Sequence, residues 1–190
     1  MNAVILAGGK SSRMGTNKAF LELKGKTFIE LQIELLSEMF DEIFISANTP
    51  SEYEYLNLPV SKDIYPDKGP LGGIYTSLIN SGSFHTFMLA CDMPFVEPGL
   101  IKHLENLTKE YDVVIPKSEK GLEPLHAFYS KKCIDPIKRE LDENNLRIIS
   151  FLPHVNVKIV ELNSLPPSAS FKNSIKNLNT RDEYEDVTKK

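Results

Sequence analysis

Two cysteines, Cys91 and Cys133, are all that the 190 residues contain. They are too few and too far apart in sequence for a disulfide framework or a zinc cluster, and such sparing use of thiols makes the cytoplasm the expected compartment. The four histidines, His85, His103, His126 and His154, share no metal-ligand spacing. No apolar run approaches the roughly 20 residues that cross a bilayer, and the chain opens on a strand instead of a charged leader, so neither a membrane role nor a signal peptide is expected. Excess positive charge is also lacking: the formal net charge is −4 and the isoelectric point about 5.6, which argues against a broad nucleic-acid-binding face. Any anion site must be local. What remains is ordinary globular composition, 41% apolar and 25% charged, in a length that suits one well-buried core, so residues 1–190 are expected to form a single domain.

The local anion site is legible at the start of the chain. Val4-Ile5-Leu6 runs into Ala7-Gly8-Gly9-Lys10-Ser11-Ser12-Arg13-Met14-Gly15 and then reaches Lys18. A strand that empties into a glycine turn rich in cations suits phosphate, because residues without a Cβ let successive N–H groups approach an anion. Two common phosphate motifs fail here. The P-loop pattern would place its first glycine at Val4, and the dinucleotide fingerprint would need glycine where Lys10 stands. The pattern that fits throughout is L-A-G-G-x-S-x-R-M-G-x-x-K, from Leu6 to Lys18.

Apolar segments alternate with helical patterns along the rest of the chain, which reads as repeated β-α units around a largely parallel sheet. Thr27 and Glu30 predict a capping box ahead of a helix whose apolar positions run from Phe28 to Phe40. Strands are predicted at Ile43 to Ser46, near Val60, at Thr86 to Ala90, at Val113 to Ile115 with Ala127 to Tyr129 as a partner, and at Val157 to Leu162. Helices are predicted from Gly69 toward Gly82, after Pro98, and close to Pro136. A last short helix is expected after Asn177-Leu178-Asn179-Thr180.

A triphosphate brings magnesium, which takes oxygen ligands and commonly only one or two protein carboxylates. Asp92 is the candidate, because it ends the buried run Thr86 to Ala90, and ligands gather at the carboxyl ends of strands in open α/β sheets. An aspartate at a strand end also caps turns, a reading that weakens once Asp92 is paired with the glycine loop. Asp63 carries only a weak local signal, for which a solvated loop aspartate is the default reading, and Asp67 is a close competitor. Cys91 reads as a small packing residue in preference to a nucleophile.

The Leu6 to Lys18 motif resembles the signature loop of nucleotidyltransferases, and its Leu-Ala-Gly-Gly form resembles the molybdenum cofactor guanylyltransferases, or MobA family. That resemblance implies a three-layer α/β/α, Rossmann-like nucleotidyltransferase fold with a mostly parallel sheet. It implies transfer of GMP from GTP to molybdenum-bearing molybdopterin, with Arg13, Lys18 and Asp92 as catalytic residues, and with Leu6, Ala7, Gly8, Gly9, Lys18, Asp63 and Asp92 binding nucleotide. Mg²⁺ would be held by Asp92, since Cys91-Asp92-Met93-Pro94 is similar to the family's metal-binding stretch. Gly69-Pro70-Leu71-Gly72-Gly73 would lie beside the base. Glu123 to Tyr129, with His126, and Asn177 to Asp182 resemble acceptor-side segments, although Arg181 stands where relatives have proline and Ser46 where some have asparagine. Proteins that deliver molybdopterin or receive the product are the implied partners. A cytidylyltransferase for the same acceptor, a sugar-1-phosphate nucleotidyltransferase and a non-catalytic nucleotide-binding module are the rivals.

Overall fold

A computed structural model describes residues 1–8, 17–165, 171–178 and 183–184. Its centre is β1 (Asn2–Leu6), whose side chains alternate between the two faces of an eight-stranded sheet. Ala3 and Ile5 enter one apolar layer and Val4 the other. A small antiparallel pair, β2 (Glu22–Leu23) and β3 (Lys26–Thr27), leads into α1 (Phe28–Ser37).

The predicted capping box starts α1. The Thr27 hydroxyl accepts from the Glu30 N–H at 3.4 Å, and the Glu30 carboxylate accepts from the Thr27 N–H at 2.8 Å. The helix ends at Ser37, earlier than the apolar pattern suggests. Phe40 still reaches the core beyond that end, stacked on Phe87 with ring centroids 5.6 Å apart.

From β1 the chain passes through α1 to β4 (Glu42–Ser46) and then β5 (Val60–Ser61), both parallel to it on one side. It crosses back through α2 (Gly69–Asn80) to β6 (His85–Ala90), which pairs with β1 on the other side, also in parallel. Strand order therefore reverses at β1, and such a switch point leaves a crevice at the carboxyl ends of the strands. Beyond β6 come α3 (Pro98–Leu107), β7 (Val113–Ser118), β8 (Gly121–Leu122), β9 (His126–Ser130), α4 (Ile134–Asp142) and β10 (Val157–Glu161).

In space the order is β10-β7-β9-β6-β1-β4-β5, with β8 on β7. β9 runs against both β6 and β7, while β10 is parallel to β7. The short α5 (Phe171–Ser174) follows.

Three layers result. Ile29 and Leu36 of α1 pack with Leu100, Ile101 and Leu104 of α3 on one face, and Leu71, Ile74 and Leu78 of α2 join Ile137 and Leu141 of α4 on the other. Each such side chain, once buried, contributes about 1.5–3 kcal/mol of transfer free energy, which fixes the sheet as a rigid base for its loops. α4 begins two residues before Pro136, which the first turn of a helix tolerates because the N–H that proline lacks would have no intrahelical partner there. No described helix is long and apolar enough to cross a membrane.

Candidate nucleotide site

The carboxyl ends of β1, β4 and β6 open into a cleft lined by Leu6, Ala7, Gly8, Lys18, Ser46, Asp63, Gly69, Gly73, Cys91 and Asp92, among others. Most of the residues singled out from the sequence thus meet in one place. Gly9 and Arg13 lie outside the described residues, as do Asn179 to Asp182. Asp67 is absent from the lining; it stands with φ 59° in the turn before α2.

Lys18 and Asp92 are 74 positions apart in sequence and meet at 3.0 Å, Nζ to Oδ2. Their side chains are 18% and 17% exposed, so the pair is shielded enough to matter electrostatically and open enough to meet a ligand. Each partner is held from below. Lys18 begins a 3-10 turn, Lys18–Phe20, which the Asn17 side chain caps by accepting from the Ala19 N–H at 3.2 Å.

Asp92 sits in the turn after β6, and the buried Gln32 of α1 donates from Nε2 to the carbonyls of both Ala90 and Met93, each at 2.9 Å. Those carbonyls bracket Cys91 and Asp92. The N–H of Leu178 donates to the Asp92 carbonyl at 3.0 Å, which brings Asn177 into the cleft wall. The sequence gives no local sign of Gln32's part, since it falls on a helix 58 residues before Ala90.

On the other wall, Asp63 accepts from Asn48 Nδ2 at 2.9 Å and from the Ser46 hydroxyl at 3.5 Å. Burial raises its carboxyl above the ordinary value of 3.8, while those two hydrogen bonds act in the opposite direction. Ser46 is therefore part of the wall, and Asn48 two residues on supplies the amide. At Gly73 an added Cβ would stand 3.2 Å from Leu6 Cδ2, 3.5 Å from Ser46 Oγ and 3.8 Å from Asp63 Oδ1. The missing side chain leaves that side of the cleft open. Gly69 needs its freedom for a different reason, a φ of 61° at the first residue of α2.

Cys91 and His126 are packing residues. Burial, with Asp92 next to it, pushes the Cys91 thiol up to about 12, which removes the thiolate a nucleophile requires. His126 is fully buried with its ring edge-on to Phe87 at 5.1 Å, and burial lowers its pKa to about 3. It is thus uncharged, and its neighbour Leu125 lines the cleft in its place. Among the described residues, no cluster of three or more His, Cys, Asp or Glu could cage a metal. The Asp92 carboxylate is nonetheless a donor that suits magnesium arriving on a nucleotide, where phosphates and water supply the remaining oxygens.

Comparison with known proteins agrees with this fold. Residues 3–155 match the model of the MobA-like NTP transferase domain. A probable molybdenum cofactor guanylyltransferase of Clostridium perfringens is 42% identical over 193 residues, covering 100% of this chain and 96% of that one. Another of that description, from Carboxydothermus hydrogenoformans, is 37% identical over 189 residues, covering 100% and 95%. The crystal structure of molybdopterin-guanine dinucleotide biosynthesis protein A from Archaeoglobus fulgidus superposes with a TM-score of 0.85 at 28% identity, covering 100% of this chain and 97% of that one. The chain belongs to the MobA-like NTP transferase family.

Proposed function

We propose that this protein transfers a guanylyl group from GTP to the terminal phosphate of molybdenum-bearing molybdopterin. An oxygen of the acceptor phosphate forms a bond to the α-phosphorus, the bond from that phosphorus to the bridging oxygen of the β-phosphate breaks, and pyrophosphate leaves. The acceptor is already ionised near neutral pH, so no general base is required, and positioning and charge neutralisation carry the rate. The observation that supports this most is the Lys18–Asp92 pair at 3.0 Å where the chain order reverses beside β1.

In this reading Lys18 and the Gly8 N–H face the triphosphate, and Asp92 is the protein ligand of Mg²⁺. Bound magnesium supplies charge neutralisation on the phosphate oxygens. Gly9 and Arg13 take their phosphate-binding parts from the sequence resemblance. Asp63 offers carboxylate oxygens to the N–H donors of guanine or to the ribose hydroxyls, and Gly73 with the first turn of α2 leaves room beside them. Asn177, which lines the same cleft, lies toward the acceptor.

The test incubates the protein with Mg²⁺, molybdenum-bearing molybdopterin and each nucleoside triphosphate in turn. Acceptor-dependent pyrophosphate release with GTP is the expected result. Release with CTP alone would reassign the base, and nucleotide binding without release would make the protein a binding module.

A further inference from the structure

The chain leaves the sheet for the signature loop at Ala7 and Gly8 and comes back at Asn17 and Lys18, and both ends converge on one hydroxyl. Tyr53 lies in the 3-10 segment Pro50–Leu56 that follows β4, and it is fully buried. Its Oη donates to the Ala7 carbonyl at 3.2 Å and accepts from Asn17 Nδ2 at 2.8 Å. Asn17 is the residue that caps the turn carrying Lys18, and its Nδ2 also donates to Glu52 Oε2 at 2.9 Å. The Phe20 ring, at the end of that turn, packs on the Tyr53 ring with centroids 5.2 Å apart.

We propose that Tyr53 is a positioning residue for nucleotide transfer, its hydroxyl fixing the spacing between the two ends of the signature loop and hence the aim of Lys18 at Asp92. The proposal rests on the transfer reading above. A phenol suits this place because one oxygen serves as donor to the outgoing end and acceptor from the returning end. Burial raises the Tyr53 pKa to about 12, against the opposing pull of the Asn17 hydrogen bond, so the proton donated to Ala7 is retained throughout the neutral range. Tyr53→Phe keeps the ring on Phe20 and deletes both bonds. Asn17→Ser keeps a capping oxygen for the Ala19 N–H but loses the amide that reaches Tyr53.

The experiment measures kcat and KM for GTP, KM for the acceptor, and stability in urea, for Tyr53→Phe, Asn17→Ser, the double variant and a control. Thr86→Val is the control, because it deletes a buried hydroxyl that donates to Ser81 Oγ at 2.8 Å near the opposite end of β6. Tyr53→Phe and Asn17→Ser should each lower kcat/KM for GTP by roughly 3- to 10-fold, the worth of one or two net hydrogen bonds. The acceptor KM should stay put, the double variant should be no worse than the poorer single, and Thr86→Val should lose stability without that kinetic change. Kinetics of Tyr53→Phe matching wild type, or an equal kinetic loss in Thr86→Val, would overturn the proposal.

If wild type releases no pyrophosphate, the transfer reading fails on its own, and GTP affinity by calorimetry decides Tyr53 instead. Weaker binding by Tyr53→Phe supports the clamp and equal binding refutes it. No binding by wild type refutes both.

Discussion

Replacing Asp92 by asparagine keeps the side chain's size and removes the charge that faces Lys18 at 3.0 Å. In the ligand-free protein the lost charge-assisted hydrogen bond is worth about 1.5–3 kcal/mol when well shielded. Both partners retain nearly a fifth of their exposure, which brings the expected stability loss to about 1–2 kcal/mol after solvent screening. The kinetic loss should be larger. In the proposed reading Asp92 would hold the magnesium that neutralises charge on the transferring phosphate, and loss of a comparable electrostatic contact costs about 3 kcal/mol, or more than 100-fold in rate.

Pyrophosphate release from GTP with saturating acceptor reports the rate, and urea unfolding shows that the variant remains folded. Lys18→Met should move both readouts in the same direction. Because the two side chains touch and in the proposed reading would serve one triphosphate, the double variant should lose less than the two singles combined. Turnover of Asp92→Asn within about threefold of wild type would refute the assignment, since no contact made only in the transition state would have been removed.

Two further variants probe the walls of the cleft. Burial holds the Asp63 carboxyl above 3.8, so between its unfolded and folded values the native chain keeps a proton that the unfolded chain has lost. Stability therefore falls as pH rises through that window, and the cost remains at neutral pH. Asp63→Asn should raise the melting temperature at neutral pH, gain little below the ordinary carboxylate value, and weaken GTP binding; equal gains at both pH values would contradict the argument. Gln32→Leu removes the donor shared by the Ala90 and Met93 carbonyls. It should cost about 1–2 kcal/mol in urea, with kcat falling further than the control Thr86→Val; a stability loss with unchanged kcat would make Gln32 a core residue only.

Several features that depend on neighbours in the chain were legible from the residues, although the small β2–β3 pair was not. Thr27 and Glu30 announced the start of α1, Pro98 opened α3, and the apolar runs marked the central strands. Such signals are short-range: a cap needs only its own first turn, and a buried strand only a few β-branched or apolar residues. The helix boundary at Ser37 was less legible, because Phe40 is apolar for a core contact made after the helix has ended.

The sequence by itself marked a phosphate site, since Leu6 to Lys18 carries glycines and cations directly after a strand, and the resemblance to the nucleotidyltransferase signature loop named the class of chemistry. It also offered Asp92 as the acidic candidate, because that residue lies just beyond a buried strand. Only the tertiary structure decided which distant residues serve that loop. It brought Asp63, which the resemblance had preferred to Asp67, to Asn48 and Ser46 by pairing β5 with β4, and it turned β9 against its neighbours. It also placed Gln32 under Asp92 and Tyr53 between Ala7 and Asn17. The physical reason is that a hydrogen bond across 36 to 61 residues depends on how packed layers bring backbones together, and no periodicity within a single segment encodes that distance.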